Sequence, residues 1–229
     1  MAMVPIMAPS FLWRGSLLGG AGSRLRIIRV AIEEWLRFGG QVAVGTRRPG
    51  RLQVVHHGSK EQDADTVGIV GQYWQNIGLN YDGNDTEQYW SAAFISYVMT
   101  RAGVPEADFP RSRRHMTWIH HAIRNKLDGV AGAKLLGHRV TDYAPKEGDL
   151  VCYTRSGWLD YAAAGRQARG ASHSDIVVYA WGSEIGVIGG NVRDSVTLKR
   201  LPVDANGLIA DRSNGHDWFC VIENRMRWS

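Results

Sequence analysis

With only two cysteines, Cys152 and Cys220, the chain has no basis for a disulfide framework. Each lies in an apolar, strand-like run, Leu150-Val151-Cys152-Tyr153 and Trp218-Phe219-Cys220-Val221-Ile222. Two buried thiols are therefore expected, with one bridge between them as the alternative. There is no apolar run of about 18 residues or more, so stable membrane insertion through a helix is not expected. Nor is there a long stripe of one charge sign. Lys and Arg number 27 against 22 Asp and Glu, a net charge of +5, and only Arg111, Arg113 and Arg114 cluster. That pattern argues against nucleic acid as a partner, while the surplus suits an anionic surface such as a wall polymer. The first twenty residues are apolar but broken by Pro5, Pro9, Arg14 and Gly15. They lack the basic lead and continuous apolar core of a secretory signal, so synthesis in the cytoplasm without a classical signal peptide is expected. Repeats and low-complexity segments are absent. So is a compact zinc motif: His56-His57 are adjacent, and His115, His120 and His121 miss the i, i+4 pair of a helical site. The expectation is no metal and no cofactor, with a zinc amidase built on these histidines as the weaker alternative.

What is present is enough apolar sequence for a real core, 44% hydrophobic against 21% charged in 229 residues. Residues 1–23 read as a Gly- and Pro-punctuated flexible lead and 24–229 as one domain. Leu25, Ile28, Ile32, Trp35 and Leu36 recur at helical spacing before Gly39-Gly40. A short strand is expected over 42–44, a loop over 45–60, and helices over 63–77, from Ser91 onward, and over 112–127. From Gly148 the pattern changes to β-branched and aromatic runs at 149–154, 175–181, 185–188, 195–199 and 218–223. The segment 156–172 is expected to be a mobile loop or a short helix. Helices first and strands afterwards predict an α+β fold, the N-terminal helices packed on a C-terminal antiparallel sheet.

Two stretches carry candidate chemistry. Ser91 opens the run Ser91-Ala92-Ala93-Phe94-Ile95-Ser96 after the turn-rich Asp82-Gly83-Asn84-Asp85. A serine at a helix start is commonly only a cap. It also lies beside unpaired N–H groups and the positive end of the helix dipole, where an oxyanion is stabilised. A serine nucleophile needs a base, and the base needs an orienting group. His173, in Ser172-His173-Ser174-Asp175, is the candidate base at a strand mouth. Asp175 lies two residues on, on the same face, at a spacing often too long for a hydrogen bond to the ring. Asn191, in Gly189-Gly190-Asn191, is the alternative orienter, reaching across from the next strand. Trp90, His115 and Trp118 are candidate substrate-binding residues, and Tyr81 a candidate oxyanion donor.

Taken in order, these residues resemble a known superfamily. Trp90-Ser91-Ala92-Ala93-Phe94, Gly148-Asp149-Leu150-Val151, His173-Ser174-Asp175-Ile176-Val177 and Gly189-Gly190-Asn191-Val192 look like the landmarks of NlpC/p60-type and CHAP-type cell-wall amidases. Ser91 stands where the papain-like relatives carry a nucleophilic cysteine. The resemblance covers about 67–196 and implies a papain-like fold. It also implies acyl transfer through Ser91, His173 and Asp175 or Asn191, and peptidoglycan stem peptides as substrate. An amidase without an export signal implies in turn an antibacterial effector, delivered to a target periplasm by a type VI-like machine and paired with a cognate immunity protein. A phage lysis enzyme and a non-catalytic wall-binding module are the alternatives.

Overall fold

A computed structural model describes residues 22–45, 52–155, 157–210, 212–213 and 216–226. In chain order the elements are α1 (Ser23–Arg37), β1 (Gln41–Gly45), β2 (Leu52–His56), α2 (Val67–Gln75), α3 (Ser91–Arg101), α4 (Met116–Leu127) and β3 (Leu135–His138). There follow β4 (Leu150–Thr154), α5 (Tyr161–Arg166), β5 (Ser172–Trp181), β6 (Glu184–Gly189), β7 (Thr197–Pro202), β8 (Arg212–Ser213) and β9 (His216–Asn224). Apart from Gly22 and Ser23, the expected N-terminal lead lies outside the described residues.

The α+β class holds, but the sheet is mixed rather than wholly antiparallel. Its order is β2-β1-β7-β6-β5-β4-β9-β3, with β8 pairing β9, and every pair is antiparallel except β1 with β7. The parallel pair arises because β1 precedes the helical half and β7 follows it, so the chain makes the long crossover that parallel strands require. Three strands were not expected from sequence, the two-residue β8 among them. β2 lies where a loop is predicted, a half-exposed edge strand, and β3 joins the opposite edge of the sheet. Segment 156–172 contains a short helix, α5, whose Asp160 side chain caps it by accepting from the Ala163 N–H at 2.7 Å.

Strand alternation divides the core between two faces. Leu150, Cys152, Ile176, Val178 and Cys220 point to the side covered by α1, α2, α3 and α4. Val151, Tyr153, Val177, Val187, Leu201 and Val221 form a smaller cluster on the other side. Cys152 and Cys220 are cross-strand partners and both are free, buried thiols. The inward face of α1 departs from the expected one in part: Ile28 is buried and Ile32 and Trp35 pack against the core as expected, but Leu25 and Leu36 are more than half exposed and Ile27, Val30 and Ala31 are buried instead. Glu34 accounts for the rotation, because its carboxylate accepts from the buried Tyr73 hydroxyl at 2.7 Å and from Arg37. None of the described helices is long and apolar enough to cross a membrane.

Candidate active site

The loop before α3 is folded so that Trp90, and therefore Ser91, has one position. Asp82 and Asp85 accept backbone N–H groups within the turn, at 2.7 Å from Asn84 and 2.8 Å from Asp82 itself. A Cβ at Gly83 would overlap the Glu61 carbonyl oxygen, so only glycine lets the turn lie against Glu61. Glu61 in turn accepts from Trp90 Nε1 at 2.5 Å, and the indole packs on both Phe38 and Tyr73 at 5.8 and 5.7 Å, in a cluster where those two rings also touch. Trp90, not Ser91, is the N-cap residue, and no side chain caps the helix. Ser91 is the first helical residue and its hydroxyl is free for another task.

That hydroxyl meets His115: Ser91 Oγ lies 2.8 Å from His115 Nε2, and both side chains are buried. Ser96, farther along α3, fixes the segment leading to His115. Its hydroxyl donates to the Ser112 carbonyl and accepts the Ser112 N–H, both at 3.0 Å. Trp118 meets the His115 ring edge-on at 5.2 Å and donates to Ser174 Oγ at 3.1 Å. Burial, together with the charges of His173 and Arg155, holds the His115 imidazole neutral well below its ordinary value, with Asp175 opposing. Its second nitrogen, Nδ1, is buried and has no hydrogen-bond partner among the described residues.

His173 lies beside this pair, its ring centre 5.0 Å from that of His115. Both its nitrogens are engaged: Nε2 meets Asp175 Oδ1 at 3.1 Å and Nδ1 accepts from Arg155 Nη2 at 3.1 Å. The i+2 spacing along β5 therefore does permit a hydrogen bond. Neither nitrogen of His173 is thereby left for Asn191, which is held at a φ of 52°. Asp175 is fully buried and its other oxygen accepts from Lys199 Nζ at 2.7 Å. Lys199 reaches Asp175 from β7 over the rings of Tyr153 and Trp218, at 4.7 and 5.3 Å. Burial alone would push the Asp175 carboxyl up, but Lys199 and His173 outweigh it and hold it well below the usual carboxylate range. Burial lowers His173 to about 4, Asp175 countering in part.

The two glycines before Asn191 fit this packing. A Cβ on Gly189 would overlap Asp175 Oδ1 and come within 2.9 Å of His173 Nε2. One on Gly190 would lie 2.5 Å from Phe94 Cβ and 2.8 Å from Trp90 Cζ3. The end of β6 thus wedges between the His173–Asp175 pair and the start of α3.

The remaining sequence candidates differ in how near they lie to the Ser91–His115 pair. Trp90 and Trp118 are enclosed, at 1% and 0% exposure, as walls of the site rather than open surface. Tyr81 is half-buried with its ring edge-on to Trp74 at 5.3 Å. Asp149 of the Gly-Asp landmark is a structural tie, accepting from Arg24, from Tyr143 Oη at 3.2 Å and from the Lys146 and Asn224 N–H groups. His56 lies exposed, 3.3 Å from the Gly39 carbonyl. No group of three or more potential metal ligands occurs among the described residues. Lys199 and Arg155 were not singled out from sequence. Lys199 was detectable in principle, since it shares the inward register of β7 with Thr197 and Leu201. Arg155 carries no local signal.

Residues 57–229 match a bacterial family described as "Uncharacterized protein conserved in bacteria (DUF2272)". The chain belongs to this family. The matched segment contains Ser91, His115, Arg155, His173, Asp175 and Lys199, so the site lies within the DUF2272 region, while α1, β1 and β2 precede it. No curated protein and no solved structure matches the chain.

Proposed function

We propose that this DUF2272 chain is a serine amidase of peptidoglycan stem peptides, working by acyl transfer on a papain-like scaffold akin to NlpC/p60 and CHAP enzymes. One observation carries the reading: a serine hydroxyl at the start of a buried helix lies 2.8 Å from the nitrogen of an imidazole that burial keeps neutral. Neutral imidazole is the form that accepts a proton, and accepting at Nε2 places its own proton on Nδ1. Ser91 Oγ attacks the amide carbonyl as its proton passes to His115 Nε2. The oxyanion forms at the α3 N-terminus, where the first N–H groups have no partner within the helix. His115 then protonates the leaving amine, the C–N bond breaks, and an acyl-serine remains. Water, deprotonated by the same imidazole, releases the acid and restores the hydroxyl. The His173–Asp175–Lys199 chain forms a fixed wall against the His115 ring, and the net charge of +5 suits an anionic wall polymer.

The resemblance favours a second assignment of the base, His173, and one experiment separates the two. Purified sacculi are incubated with the native chain and with Ser91→Ala, Ser91→Cys, His115→Gln and His173→Gln, and released muropeptides are weighed by mass spectrometry. The native chain is expected to release new stem-peptide products whose masses name the bond. Ser91→Ala should release none, and His115→Gln should be slower by about 10²- to 10⁴-fold. If His173→Gln abolishes release while His115→Gln retains it, His173 is the base. Cutting by Ser91→Cys alone would mean a scaffold that has lost its nucleophile. Failure of all five, with retention on sacculi, would replace the amidase with a wall-binding module.

A further inference from the structure

Arg155 follows β4 directly, and its backbone N–H is tied to the Ala171 carbonyl at 2.8 Å beside the start of β5. Its side chain is exposed, yet it reaches the site, with Nη2 3.1 Å from His173 Nδ1. An uncharged imidazole is a poor use of a guanidinium, whose planar fork of five donors matches a carboxylate. The other cation of the site, Lys199, is already neutralised by Asp175 at 2.7 Å. None of the ion pairs among the described residues includes Arg155. It is therefore a cation at the edge of the Ser91–His115 dyad with no anion of its own among the described residues.

We propose that Arg155 is a substrate subsite that binds a free carboxylate lying next to the scissile amide. This rests on the amidase reading above and narrows it to amides whose acyl or amine component is acidic. Pairing of Arg155 with such a carboxylate withdraws its hydrogen bond from His173 Nδ1. It also cancels a positive charge that works against protonation of both His115 and His173. Binding of the acidic substrate thus makes the base more basic, so discrimination appears in kcat as well as in KM.

The test uses the native full chain, Arg155→Ala and Arg155→Lys on a synthetic stem peptide and on a set of twins. Each twin has one free carboxylate replaced by a carboxamide. For the native chain, one twin should lose about tenfold or more in kcat/KM, the scale of a charge-assisted hydrogen bond. Arg155→Ala should lose the same factor on the parent peptide and treat that twin and the parent alike, a coupling that a merely structural role would not produce. Arg155→Lys should restore part of the preference. A native chain that cuts the parent and every twin at one rate overturns the subsite and leaves the amidase reading standing. So does an Arg155→Ala chain that keeps the native preference. If the native chain cuts none of the peptides and calorimetry finds none bound to Ser91→Ala, both readings fall together.

Discussion

At the scale of single residues, the site is made by close approach rather than by any one reactive group. Gly189 shows this best. Its position in β6 leaves no volume for a methyl group, since a Cβ there would overlap Asp175 Oδ1. Gly189→Ala should therefore separate His173 from Asp175 and leave Lys199 facing a displaced carboxylate. Overpacking of this kind costs about 1–3 kcal/mol. The expected result is a lower urea midpoint at unchanged m-value together with reduced muropeptide release. Native stability in that variant would show that the strand yields and that the contact is not binding. Much of this geometry was legible beforehand. Gly-Gly-Asn was recognisable as a special turn, and His173 and Asp175 as neighbours on one strand face. That Asp175 also meets Lys199 was hidden, because the two are 24 residues apart and meet only across the intervening strand β6.

At the scale of elements, the helical layer is held to the sheet by polar ties as well as by apolar burial. Asp149 is the main one, fully buried and joined to Arg24 of α1, to Tyr143, and to the backbone at Lys146 and Asn224. Burial raises its carboxyl, with those partners pulling the other way. Asp149→Ala should strand the buried donors and cost about 3–5 kcal/mol. It should also release α1 locally, seen as faster hydrogen exchange over 23–37 than over α3. Equal protection of the two helices would show that apolar packing alone holds α1. The Gly-Asp landmark was visible in sequence as a motif, whereas its role as a clamp on α1 needed the partner 125 residues away. The rotation of α1 was missed for a like reason. Periodicity marks an apolar stripe, but Glu34 is drawn inward by Tyr73 of another helix.

At the scale of the whole molecule, the consequence of the buried cluster is a dependence on pH. Three imidazoles are held below the ordinary value of 6.5: His173 to about 4, His216 to about 3, and His115 lower than usual by burial. Arg155 and Lys199 press all three down, and Asp175 opposes. In the unfolded chain each takes up a proton near 6.5, whereas in the folded chain each remains neutral until the pH is far lower. Between pH 6.5 and 4 the unfolded state binds more protons, so stability falls as pH falls. The depressed carboxyl of Asp175 adds a further loss below its unfolded value of 3.8. Scanning calorimetry should find Tm level above pH 7 and declining steadily from 6.5 downward. A Tm constant to pH 4.5 would mean that these rings are hydrated and titrate normally.

What the sequence determined by itself is what depends on neighbours in the chain. That includes the helix opened by Ser91, the five longer strands after Gly148, the α+β class, and the shared face of His173 and Asp175. All of these follow from local periodicity and turn chemistry. What only the tertiary structure decided is which groups meet. Ser91 touches His115 because Ser96 pulls the segment at Ser112 back against α3. The sheet is mixed because β1 pairs with β7 from the far end of the chain. Lys199 and Arg155 join the site because strand order brings β7 and the end of β4 to either side of β5. Such contacts are set by packing between distant segments, and no spacing along the chain encodes them.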